Sequence, residues 1–145
     1  MPYLTPVELK THIYPEIADA ITREDDTIIT NAINGAVAEA KSYLSRYDLL
    51  QLFGTDIVAA TVTDVNLKNK VKDIACWYIV RLANPNINLE LSRTLYEDAI
   101  KWLKDVQKGY ADPEGWPYKA DNTSTSFNEN NFVQYSSNTK RENHY

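Results

Sequence analysis

A single cysteine, Cys76, leaves this chain of 145 residues no way to form an internal disulfide. Its place in the apolar run Ile74-Ala75-Cys76-Trp77 fits a reducing compartment. The two histidines, His12 and His144, stand far apart, and no His/Cys spacing matches a zinc site. With only four glycines there is no GxGxxG run and no phosphate loop. No apolar run reaches the ~18 residues a membrane span needs. Met1 to Pro6 carries neither a basic n-region nor an apolar h-region, so no secretory signal is expected.

Basic residues are also in the minority, 15 against 20 acidic, for a net charge of −5. Such a chain repels phosphate backbones and anionic membranes at long range, which counts against nucleic acid as its main source of affinity. Catalytic groupings are lacking as well. Cys76 as a nucleophile would need a nearby base and an electropositive setting, and its sequence neighbours supply neither, so it reads as a buried, inert thiol. The acidic pair Asp25-Asp26 has a sufficient structural reason as a helix start. The expectation is therefore a protein that is not an enzyme and has no cofactor and no metal.

What is present is a helical pattern. An apolar fraction of 43% suffices for one core. Thr5-Pro6-Val7-Glu8 is a capping box with proline at the first helical position, and Pro15 ends that short helix by disfavouring helical geometry at Tyr14. A second short helix follows from about Pro15 to Thr22. The Asp25-Asp26 start opens a helix of about 20 residues with Ile29, Ile33, Ala36, Val37, Ala40, Tyr43, Leu44 and Tyr47 at three- and four-residue steps. Gly35 inside it implies a close helix contact.

Leu49 to Phe53 is a short apolar run ending at Gly54. Residues 55–63 are β-prone, fit for a short strand or an ordered loop. Asp64 caps the next helix, in which Leu67, Val71, Ile74, Ala75, Tyr78 and Leu82 share a face, widened by Trp77 and Val80, until Asn84-Pro85-Asn86 stops it. The last helix, about Asn88 to Lys108, turns Leu91, Leu95, Ala99, Trp102, Leu103 and Val106 inward. It pairs Glu97 with Lys101 at i,i+4 and stops at Gly109.

The fold class is thus mainly α: a small bundle with two long helices plus a final long helix, a short β-prone loop and an extended C-terminal arm. Residues 1–110 form the helical core, 111–120 an aromatic, turn-rich collar, and 121–145 a polar arm. Partner contact is expected at Tyr110, Trp116 and Tyr118 of the collar, as anchors or as a lid on the bundle end. In the arm it is expected at Phe127, Phe132, Tyr135, Lys140 and Arg141, in a segment that orders on binding. Lys68 and Lys72, with Lys70 between them, crowd the first turns of a helix where the dipole disfavours positive charge. They read as a solvated face or as a contact for an acidic partner or passing nucleic acid.

Several stretches taken in order resemble the small head–tail connector (adaptor) proteins of tailed phages, in the Mu-like group. They are Tyr3 to Leu9, Ala38 to Tyr47, Val71 to Tyr78, Leu91 to Trp116, and Tyr135 to Arg141. The resemblance implies a homo-oligomeric ring, commonly twelvefold in the particle and possible as a monomer when free. Its partners are a portal protein above and a tail-completion protein below. Genome DNA passes through without specific binding, no membrane is involved, and the chain resides in the virion after assembly in the host cytoplasm. A cytosolic regulatory or inhibitor module that binds one enzyme is the alternative from another class.

Overall fold

The computed structural model describes residues 1–82 and 89–120. Six helices occur among them: α1 (Pro6–Leu9), α2 (Pro15–Thr22), α3 (Asp26–Tyr43), α4 (Leu49–Phe53), α5 (Val65–Val80) and α6 (Glu90–Lys108). No β-sheet forms among the described residues; the only pairing is an isolated antiparallel bridge between Tyr47 and Tyr118. Phe127, Phe132, Tyr135, Lys140 and Arg141 lie outside the described residues, as does Asn84-Pro85-Asn86.

The helix starts are built from their caps. Thr5 Oγ1 accepts from Glu8 N while Glu8 Oε2 accepts from Thr5 N, the reciprocal box that the first residues imply. Asp25, Asp48 and Asp64 each take backbone N–H groups of the helix they precede. Gly109 ends α6 in the left-handed region, with φ 83°.

Helices α3, α5 and α6 pack on one another, and α1 and α2 lie across α3 with α2 also against α5. The core holds Ile33, Ala36, Ala40 and Leu44 from one side, Leu67, Val71, Ile74 and Ile79 from the second, and Ala99, Leu103 and Val106 from the third. Gly35 marks the close approach foreseen for it: a Cβ there would stand 3.2 Å from the Tyr78 ring. One turn on, Glu39 of α3 receives the Tyr78 hydroxyl of α5 and, at 2.8 Å, the Tyr96 hydroxyl of α6. One carboxylate thus ties all three long helices together. Burial, then the bond to Glu39, pushes the Tyr96 phenol up to about 12.

That tie explains where the expected inward stripe of α6 fails. Leu91 and Leu95 are 72% and 42% exposed, not inward. Ala99, Leu103 and Val106 are buried as expected, and the line that faces the bundle continues through Tyr96 and Ile100 in place of Leu91 and Leu95. Tyr96 faces inward because its hydroxyl reaches Glu39 and its ring stacks on Trp77 at 5.8 Å, and Leu91 and Leu95 rotate out. Trp102 is half-buried at the edge of that line. Leu82 is exposed as well, because α5 already ends at Val80. Glu97 pairs with Arg93 at 2.9 Å rather than with Lys101.

Residues 55–63 are an ordered loop, not a strand. Local acceptors take the amides that a strand would offer to a partner. Thr55 Oγ1 accepts from Val58 N at 2.9 Å, and the Gln51 carbonyl accepts from Thr61 N and Val62 N. Gly54 makes the turn possible, since at φ +68° a Cβ would stand 2.4 Å from the Val58 oxygen.

Candidate functional site: an aromatic clasp at the end of the bundle

The residues that follow α3 and those that follow α6 meet. Beyond Gly109 the chain doubles back, with Tyr110 N donating to the Asp105 carbonyl at 2.8 Å. It then runs antiparallel to Arg46-Tyr47-Asp48: Asp48 N donates to the Pro117 carbonyl and Lys119 N to the Arg46 carbonyl, each at 2.9 Å. Two such bonds do not make a stable strand pair in water, so the side chains must supply the rest.

Tyr47 is 1% exposed and forms the floor. Tyr118 stacks on it at 5.2 Å and 19°, while Trp116 meets it edge-on at 5.2 Å and 84°. Trp116 also stands edge-on to Trp102 of α6. These are the offset and T-shaped geometries that ring quadrupoles favour. Trp116 Nε1 donates to Asp64 Oδ2 at 2.8 Å, and the other oxygen of that carboxylate caps α5 through Leu67 N. Arg46 Nη2 donates to the Val106 carbonyl at 2.6 Å near the end of α6, and to the Tyr47 hydroxyl. The clasp therefore ties together the end of α3, the start of α5 and the end of α6. Ala120, the last described residue, follows it directly.

The arrangement packs the buried Tyr47 and Trp116 and the more exposed Tyr118 beside the Asp64 carboxylate, both of whose oxygens accept hydrogen bonds. Among the described residues no group of three or more His, Cys, Asp or Glu is placed to hold a metal.

A family model described as Bacteriophage Mu, Gp36 matches residues 3–130, which takes in every described helix and the whole clasp. The chain belongs to the Bacteriophage Mu Gp36 family. No curated protein matches the chain. The Gp36 match stops short of Tyr135 to Arg141, so the likeness of that stretch to a connector's ending lies outside it.

Within this Gp36-family fold the expected contact residues fall into different settings. Trp116 is 6% exposed and packs inside the clasp. Tyr118 is 61% exposed while stacked on Tyr47, and Tyr110 is 82% exposed. Lys68 is not part of a solvated face: its ammonium meets Glu8 Oε1 at 2.5 Å and lies over the Tyr3 ring. Lys72 donates to Thr11 Oγ1 at 3.1 Å. Both lysines thus join α5 to the α1 region, a use that no local sequence pattern announces.

His12 is paired with Asp73 at 3.6 Å. Burial outweighs that pairing, holding the imidazole below its ordinary value and Asp73 above its own. The Glu39–Tyr78–Tyr96 tie and the Trp116–Asp64 bond were not foreseen. Their partners are dozens of residues apart, and only the i,i+3 distance from Asp64 to Leu67 left a local trace.

Burial pushes the Cys76 thiol up to about 12, with Asp73 adding to the effect. At pH 8 almost no thiolate forms, so labelling by a disulfide reagent is expected to be at least about a hundredfold slower in the folded protein than in denaturant. Fast labelling of the folded protein would restore Cys76 as a reactive group.

Proposed function

We propose that this Gp36-family chain is a structural head–tail connector of a tailed bacteriophage, a ring beneath the portal that joins it to the tail-completion protein. The observation that carries the reading is the family match over residues 3–130. The clasp supports it, because a connector needs a rigid body from which a partner-seeking arm leaves at a fixed point. In this reading the exposed rings of Tyr110 and Tyr118 are the rim contacts. Phe127, Phe132, Tyr135, Lys140 and Arg141 are the arm contacts to the portal.

The net charge of −5 suits a channel past which DNA must slide, since a lumen that does not neutralise phosphates does not hold the genome. Removing the chain from an infected cell is expected to yield filled or partly filled heads without tails, and supplying the full chain is expected to restore tailed particles. Infectious tailed particles formed in its absence would overturn the proposal.

A further inference from the structure

Arg23 and Glu24, between α2 and α3, both adopt left-handed backbone, with φ of 55° and 59°. Residues with a side chain rarely do so, and then singly, because Cβ crowds the following carbonyl oxygen. Neither residue is a glycine, asparagine or aspartate, the types that tolerate this region. The turn closes with Glu24 N donating to the Asp19 carbonyl at 3.1 Å. The next helix then starts on the Asp25 carboxylate, which accepts from Thr27 N at 2.9 Å.

Nothing in the local sequence demands this break. No glycine or proline stands between Pro15 and Gly35. The buried positions keep a helical repeat across it: Ala18 and Thr22 of α2, then Ile29, Ile33, Ala36 and Ala40 of α3. Thr22 and Ile29 are about two turns apart in sequence. A continuous helix from Pro15 to Tyr43 would therefore carry all six on one face.

The seat of α2 is also loose. Ala18 and Thr22 are buried but stand outside the main core cluster. Among the described residues, the hydrogen bonds of α2 run within itself or to the turns at its ends. A groove of about 320 Å³ opens between it, α1 and the first turn of α3, with Leu9, Ile13 and Ile29 in its lining.

We infer that α2 is a hinged helix that straightens onto the start of α3. In the straight state Arg23, Glu24 and Asp25 are helical, and one helix runs from Pro15 to Tyr43. Release of the two left-handed residues favours straightening, and loss of the Asp25 cap opposes it. Straightening carries α2 away from the groove and exposes Leu9, Ile13 and Ile29. The bent state dominates in the free protein, and the straight state is a minor one of a few per cent, on the order expected for two-state proteins. The inference does not rest on the connector role.

The test is a spin-label distance measurement by double electron–electron resonance on the full chain. Labels are placed at Glu16→Cys and Ala38→Cys, both exposed sites, in a Cys76→Ala background. In one continuous helix their backbones stand about 33 Å apart, and the bent chain holds them closer. A narrow minor component near that distance is expected. Asp25→Ala removes the cap and is expected to raise the component about fivefold. Adding Arg23→Gly is expected to lower it again by about fivefold, because glycine takes the left-handed region freely and disfavours the helix. Absence of the ~33 Å component from the Asp25→Ala protein would overturn the inference. So would a component that Arg23→Gly leaves unchanged, or a broad distribution in its place, which would mark an α2 that frays instead of straightening.

Discussion

Replacing Trp116 by alanine is expected to cost about 3–5 kcal/mol of folding stability, the range for deleting a buried large aromatic. That is a large share of the ~5–15 kcal/mol that holds a typical domain together, and it corresponds to a fall in Tm of roughly 6–20 °C. The loss has two sources. The indole is 6% exposed, wedged edge-on against Tyr47 and Trp102, so its removal leaves a cavity at the end of the bundle. It also donates to Asp64 Oδ2, and that carboxylate caps α5 with its other oxygen.

Trp116→Phe keeps a six-membered ring but loses the rest of the indole with its N–H donor. Its expected cost is smaller than that of alanine and at least the ~1.5–3 kcal/mol of a hydrogen bond to a charged group. Denaturant titration of the three proteins measures both. An alanine variant within about 0.5 kcal/mol of the wild type would show that the collar rests on the core without contributing to it.

Removing residues 121–145 is expected to do the opposite: no harm to the fold and near-complete loss of assembly. Among the described residues, the hydrogen bonds and ring contacts of the clasp are made by residues up to Lys119, so the bundle is expected to keep its anchor when the chain stops at Ala120. Far-UV circular dichroism should keep the helical bands of the six described helices, with Tm within about 2–4 °C of the full chain, the shift that ~1 kcal/mol produces. In infected cells the shortened chain should fail to complement, giving heads without tails. Normal tailed particles from the shortened chain would remove the arm from the connector proposal. A truncated chain that unfolds would instead show the arm to be part of the core.

The two results together distinguish an anchor from a binding element. Trp116 had been expected among partner contacts, because aromatic residues outside helices are common interface anchors. Its sequence neighbourhood, turn-rich and following the stop at Gly109, fits either use. The decision came from residues far away in the chain, Tyr47, Asp64 and Trp102, converging on one point. The same holds for Lys68 and Lys72. Lys68 and Lys72 look unengaged until Glu8 of α1 and Thr11 just beyond it are brought across.

The amino-acid sequence by itself determined the elements: local caps set the starts of α1, α3 and α5, proline set the start of α2, and Gly109 set the end of α6. It also determined which faces of α3 and α5 are buried, because a three- and four-residue apolar repeat has one solution on a helix. The tertiary structure alone decided which residues of the first half of α6 face inward and the use of the collar. Leu91 and Leu95 made as good a stripe as Tyr96 and its neighbours, and a hydrogen bond to Glu39 with a ring stacked on Trp77 favoured the second. Residues 55–63 had the propensity of a strand but no partner strand, and Gln51 and Thr55 took their amides instead. Local chemistry fixes what depends on neighbours within a helical turn. A choice between two adequate faces, or between two acceptors for one amide, depends on groups that only folding brings into reach.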